Sequence, residues 1–238
     1  MYKENPKTKG SGITCAIPQA GLCPNKCKDC FFQSGRSYLE PIEENTPNLP
    51  SALEALGRVI RVNDGNDSHN EMELVLKRTG MYAMRFYNTS CPDDLEKYNA
   101  PVVLTINPGA KTDADFHRIE SPPPNLMFAR FRTNTWNLSI CDQAVEWYSD
   151  RQVPIVLTFM AYNNAEDVRH PSWFYSYRKR TLNQYHAITT DGWTYVMNRY
   201  RYNRWVYSCG REGVASGCRF CGNCLREYFA TMERLHEQ

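Results

Sequence analysis

Cys23, Cys27 and Cys30 lie within eight residues, with three and then two residues between them, in the stretch Cys-Pro-Asn-Lys-Cys-Lys-Asp-Cys-Phe-Phe. Thiolates this close, on backbone short enough to curl round one object, suit a cluster of iron and sulfide. Three thiolates complete neither a tetrahedral mononuclear site nor all four irons of a cubane. One metal position stays open, which is what separates a working metal site from a structural one. The triplet alone leaves a second option standing: a zinc ion with a fourth ligand from elsewhere in the chain.

A second group, Cys209, Cys218, Cys221 and Cys224, forms C-x8-C-x2-C-x2-C near the other end of the chain. Four thiolates saturate one centre without outside help. A 4Fe–4S cluster and a tetrahedral zinc both fit that count. Gly210 and Gly222 each follow a cysteine and suit tight turns that aim backbone amides at sulfur. Ten cysteines in all, with seven in two tight groups, argue for metal rather than disulfides. The other three, Cys15, Cys91 and Cys141, read as small buried thiols. The five histidines show no metal-ligand spacing, and no phosphate loop or dinucleotide fingerprint is present.

The elements that must position these groups alternate. Short β-branched or apolar runs at 13–17, 58–63, 82–87, 102–106, 126–132 and 153–162 read as strands. Between them stand helical patterns: a capping box at Ser51 and Glu54, and a second at Ser68 and Glu71 opening a helix through Lys77. An acidic helix near 93–98, a weak one at 113–119 and a helix over 138–151 complete the series. The last carries Leu138, Cys141, Val145 and Tyr148 on one face. This alternation predicts an α/β fold with a parallel sheet and right-handed crossovers. Residues 1–12 read as a loose lead-in. The first cysteine loop leaves the C-terminal end of the first strand, where a βα-built enzyme places its chemistry.

The C-x3-C-x2-C spacing resembles the signature of the radical S-adenosylmethionine (SAM) superfamily. Six βα units are too few for a closed eight-stranded barrel and match that family's partial (β/α)6 barrel over about 150 residues. The resemblance implies that Cys23, Cys27 and Cys30 hold three irons of a 4Fe–4S cluster while SAM chelates the fourth. Reductive cleavage of SAM would then give a 5′-deoxyadenosyl radical acting on an unidentified substrate, with an electron donor such as flavodoxin or ferredoxin. One departure is Asp29, where many members carry an aromatic residue before the third cysteine. The loop of Asp64, Gly65, Asn66, Asp67 and Ser68 stands where the family has a glycine-rich loop that receives the SAM amino group. The usual Gly-Gly-Glu is absent, and a plain polar turn before a helix is the alternative. Asn88, Ser90, Arg132 and Asn134, at the ends of strands three and five, are candidate partners for the SAM ribose and carboxylate. Cys91 stands where a hydrogen-atom donor could sit. Catalytic residues are not assigned.

The expected organisation is a barrel over 1–163 and a small metal-binding extension over 164–238. That extension carries the second cluster or zinc, as C-terminal extensions of the family often do. Its aromatic- and arginine-rich part lacks clear strand–helix alternation. Trp193, Val196, Met197 and Tyr200 share one helical face. A final amphipathic helix over 225–235 turns Leu225, Tyr228, Phe229, Met232 and Leu235 inward. Asn198–Trp205 interleaves cations with rings, as base-stacking surfaces do, although rings covering the barrel would read the same way. A formal net charge of +2 argues for neither nucleic acid nor membrane. No apolar run reaches the roughly 20 residues of a spanning helix, and the polar start lacks a signal-peptide core, so a cytoplasmic location is expected. The contrasting reading is a non-enzymatic iron–sulfur or zinc module, structural or nucleic-acid-binding.

Overall fold

Seven short strands, buried on both faces by near-continuous apolar runs, build one parallel sheet in this computed structural model. Described are residues 1–21, 23–25, 47–107, 116–162, 171–179, 184–210 and 218–237, excepting the side chains of 160–162, 179, 184 and 185. Cys27, Cys30, Asp29, Phe31 and Phe32 lie outside them.

The strands are β1 (Ile13–Ala16), β2 (Val59–Val62), β3 (Arg85–Thr89), β4 (Val102–Ile106), β5 (Leu126–Arg132), β6 (Ile155–Thr158) and β10 (Val206–Ser208). They are hydrogen-bonded in the order β1-β2-β3-β4-β5-β6-β10, every pair parallel. Sequential parallel order with right-handed crossovers sends the connecting helices to one face. On that face α2 (Met72–Thr79) and α3 (Leu138–Asp150) pack against Ile60, Val62, Tyr87, Leu104, Ala129, Phe131, Ile155 and Leu157. Period-2 alternation turns Val59, Phe86, Val103, Phe128 and Val156 to the opposite face. Tyr228, Leu225 and Met232 of α6 (Asn223–His236) cover them there.

The six expected strands are present, two of them with limits changed by more than one residue at an end. The third begins at Arg85 rather than Tyr82, because Tyr82 leaves the sheet to donate its hydroxyl to Pro50 O at 2.7 Å. The sixth run divides: β6 stays in the main sheet, and β7 (Met160–Tyr162) joins a separate antiparallel sheet, ordered β7-β9-β8. Its other members, β8 (Tyr175–Lys179) and β9 (Gln184–Ile188), lie in the segment that shows no alternation in sequence. The helical face at Trp193, Val196, Met197 and Tyr200 falls in and just after α4 (Thr190–Arg199), with Val196 and Tyr200 buried in the main core.

Five local expectations fail. Ser68 does not cap α2: its hydroxyl accepts from Asn63 Nδ2 at 2.9 Å, and Glu71, at φ 55°, becomes the N-cap without a side-chain bond. The acidic helix shrinks to a 3-10 turn at Leu95–Lys97, and within the expected 113–119 helix the described residues 116–119 are non-helical. Phe229 faces solvent with 53% exposure, while Thr231 and Glu227 turn inward. The lead-in is packed: Asn5 and Thr8 are buried, and the Tyr2 hydroxyl donates to Cys15 O at 2.8 Å. The helices also include two single turns, α1 (Ala52–Ala55), carrying the expected Ser51/Glu54 capping box, and α5 (Cys218–Cys221). No helix among the described residues is long and apolar enough to cross a membrane.

Candidate functional site

The first cysteine loop leaves the C-terminal end of β1 and meets the turn that follows β2. Asn63 opens that turn in the left-handed region (φ 61°), a conformation asparagine tolerates better than most residues, with its N–H bonded to Ala16 O at 2.7 Å. Four bonds then join turn to loop. Gln19 Nε2 donates to the carbonyls of Asp67 (2.8 Å) and Asn70 (2.6 Å), and Asn25 Nδ2 to Asp67 Oδ2 (3.0 Å). Asn70 Nδ2 donates to Cys23 Sγ at 3.5 Å.

Asp67 is the hub of this arrangement. Its Oδ2 also accepts from the Ser90 amide (2.7 Å) and hydroxyl (2.5 Å), and its Oδ1 from Thr89 Oγ1 (2.6 Å) and the His69 amide (2.9 Å). Five protein donors consume the acceptor capacity of one carboxylate, which thereby ties the ends of β2 and β3 to the cysteine loop. Asp64 is likewise engaged: it pairs with Arg61 at 2.8 Å and accepts from Asn5. Gly65 and Asn66 complete the turn between them, and the Asn66 side chain accepts from the Asp67 amide at 2.8 Å. Among the described residues, two buried oxygens beside the turn have no donor: Gln19 Oε1 and Asn63 Oδ1. A buried acceptor left unsatisfied costs about 1–3 kcal/mol, so a ligand bearing N–H groups would recover that cost here.

The candidate strand-end residues divide into two sets. Ser90 belongs to the Asp67 hub. Asn88 faces the sheet's second side, donating to Val62 O (2.8 Å) and accepting from Arg130 Nη1 (3.0 Å). Arg132 ends β5 and Asn134 follows it, two strands away from the end of β3 that carries Asn88 and Ser90. Arg132 and Asn134 are both buried. Asn137 Nδ2 donates to Arg132 O at 2.8 Å, and Asn134 Oδ1 accepts from the Tyr175 hydroxyl at 2.8 Å, which couples the small sheet to this loop. Burial pushes the Tyr175 phenol up to about 12, so it remains a donor at neutral pH.

The C-terminal cysteines assemble over the second face, around the N-terminal end of α6. Cys209 directly follows β10, its amide bonded to Leu157 O at 2.7 Å. Its thiol donates to Cys221, which holds Cys221 well below the usual thiol range, with the Gly210 and Asn223 amides adding to the effect. That bond raises Cys209 in return. Cys224 is raised by burial, opposed by Arg130 and Arg61. Arg61 Nη1 reaches Cys218 Sγ at 3.7 Å. Burial disfavours the Arg61 charge, but Asp64, Cys15, Cys218 and Cys224 more than restore it. Gly222 makes the left-handed turn (φ 71°) that admits the chain to α6.

Among the described residues no three Cys, His, Asp or Glu side chains stand in closed metal-holding geometry. The four C-terminal thiols are neighbours rather than a finished ligand sphere. Their surroundings nevertheless fit a metal–thiolate centre. Four thiolates around Zn2+ or a [4Fe–4S]2+ core leave a net charge of about −2. Two guanidiniums, of Arg61 and Arg130, and two backbone amides face the sulfurs. Of the first triplet only Cys23 is described, with Asn70 at its sulfur. Cys91 sits at the Asp67 hub, its amide bonded to Thr89 Oγ1 at 3.0 Å, with its thiol raised by burial. Gln19, Asn25, Asn70, Arg61 and Arg130 carry no recognisable motif, and only their long-range contacts single them out.

Comparison of the chain with protein-family models, with curated proteins and with solved structures returns no match.

Proposed function

We propose that this chain is a radical SAM enzyme: a partial (β/α)6 barrel over 1–163 with a metal-binding extension over 164–238. The observation that carries the reading is the placement of the C-x3-C-x2-C loop. Its described start follows the first strand of a sequentially ordered parallel sheet, and Cys23 and Asn25 there bond to the turn after the second. When bound, the cluster supplies the electron that splits the SAM sulfonium into methionine and a 5′-deoxyadenosyl radical. The residues of the chain position and insulate. Cys23, Cys27 and Cys30 would hold the cluster. Gln19 Oε1 and Asn63 Oδ1 are oriented acceptors for the SAM ammonium, a role for which Asp64 and Asp67 have little capacity left. Asn88, Ser90, Arg132 and Asn134 remain candidates for the rest of the cofactor. The C-terminal thiols would hold a second 4Fe–4S cluster or zinc, balanced by Arg61 and Arg130. A flavodoxin or ferredoxin would supply the electron, in the cytoplasm.

With dithionite and SAM, anaerobically purified protein should release 5′-deoxyadenosine, and Cys27→Ala should abolish the release. Iron content should be about eight per chain with two clusters, or about four with one zinc. Colourless protein holding only zinc removes this reading in favour of a structural metal module. An iron-replete, reducible preparation that yields no 5′-deoxyadenosine removes the radical chemistry.

A further inference from the structure

We propose that Arg61 couples metal occupancy of the C-terminal thiols to the order of the turn after β2. The inference rests on reading those thiols as a metal centre and deepens it by naming what the centre controls; it needs no radical chemistry. Cys209, Cys218, Cys221, Cys224, Arg61 and Asp64 all lie among the described residues. Three observations carry the coupling. Arg61, in β2, reaches both places with one planar group: Nη1 lies 3.7 Å from Cys218 Sγ, and Nη2 lies 2.8 Å from Asp64 Oδ1. The side chains of Arg61 and Asp64 are each only 11% exposed, so their attraction is weakly screened. Arg61 Nε is buried and has no partner among the described residues, which leaves the cation with donor capacity to spare.

The coupling has a definite sign. The four thiols are neighbours without a closed ligand sphere. Filling the site with a divalent ion makes four metal–sulfur bonds, sends the thiol protons to solvent and leaves a net charge of about −2. A hydrogen bond from a guanidinium to a thiolate is charge-assisted and stronger than one to a thiol. Arg61 is then held at its sulfur end, and its rigid fork keeps Nη2 aimed at Asp64. The entropy cost of fixing the Arg61 side chain falls on metal binding, so the ion pair with Asp64 tightens and the turn opens less often. By linkage, an ordered turn strengthens metal binding by the same factor. A second route runs through the lead-in, where the Cys218 amide donates to Lys7 O and Asn5 donates to Asp64.

Hydrogen exchange of full-length protein, stripped of metal and then titrated with Co2+, separates the two routes. Cys27→Ala is the parent throughout, so that the loop triplet is incomplete, and thiolate-to-cobalt charge-transfer absorbance reports filling. Adding Cys218→Ala and Cys221→Ala should abolish that absorbance. On filling, the amides of residues 63–68 should exchange about tenfold more slowly, the size of one hydrogen bond to a charged group. In Arg61→Gln the site should still fill, at higher Co2+ concentration, and the slowing should vanish. The lead-in route stays intact in that variant, so slowing that persists there overturns the proposal, as does filling without slowing in the parent. If Arg61→Gln does not fold or fill, Asp64→Asn, which leaves Arg61 at the sulfur, must fill without slowing, and undiminished slowing overturns the proposal. Absence of any Cys218- and Cys221-dependent cobalt absorbance overturns the metal-centre reading and this inference together.

Discussion

Asp67 illustrates how a residue type suggests one role and its partners assign another. A carboxylate after the second strand fits an ammonium receptor, yet its two oxygens accept five bonds from Asn25, His69, Thr89 and Ser90. Asp67→Ala would strand the Thr89 hydroxyl and the Ser90 amide in the interior. Urea denaturation should show a loss of about 3 kcal/mol, since each orphaned buried group costs about 1–3 kcal/mol. Asp67→Asn should also destabilise, because an NH2 group would confront one of those donors. Wild-type stability in the alanine variant would show that the hub is not a scaffold. The cysteines were legible at this scale because spacing within eight residues is local. Gln19 and Asn70 were not, because each meets its partner about fifty residues away.

At the scale of elements, apolar continuity made the parallel strands readable, and burial on both faces is what such runs signify. The antiparallel pair β8 and β9 is not legible in the sequence because Tyr-Ser-Tyr-Arg-Lys and Gln-Tyr-His-Ala-Ile mix rings with charges and show no alternating apolar face. The position of α4 against that pair can be tested at Gly192. A Cβ there would lie 2.8 Å from Phe174 O, 3.0 Å from Phe174 Cα and 3.1 Å from Ile188 Cγ1. Helix propensity alone favours Gly192→Ala by about 1 kcal/mol. The clash with backbone should outweigh that gain and leave a net loss of about 2 kcal/mol, read as a lowered urea midpoint. Helix α6 offers a paired test. Tyr228 is buried against Phe86 while its neighbour Phe229 is exposed. Tyr228→Ala should cost about 3 kcal/mol and Phe229→Ala less than about 0.5 kcal/mol. Equal losses would mean that α6 is rotated from its described face.

For the whole molecule, the two chain ends meet on the second face of the sheet. The Cys218 amide donates to Lys7 O at 2.7 Å, and Leu225 Cδ1 lies 3.2 Å from where a Cβ on Gly12 would stand. Arg234, at the other end of α6, reaches Leu126 O at 3.0 Å and Pro124 O at 3.1 Å, at the start of β5. Helix α6 therefore spans the apolar surface of Val59, Phe86, Val103, Met127, Phe128 and Val156, with the four cysteines at its upper end as its anchor. A metal held there would couple its binding energy to the docking of this helix, as it does in other small metal-stapled segments. Replacing Cys218 and Cys221 together by Ala should strip that centre. Hydrogen exchange should then quicken over 223–236 and in the lead-in at 5–11, while the central strands β3 and β4, closed on their other face by α2 and α3, should stay among the slowest to exchange. The freed apolar face should bind a hydrophobic dye. Full retention of metal would show that these thiols are not its ligands. Loss of metal with unchanged exchange over α6 would show that the helix docks on its apolar contacts alone.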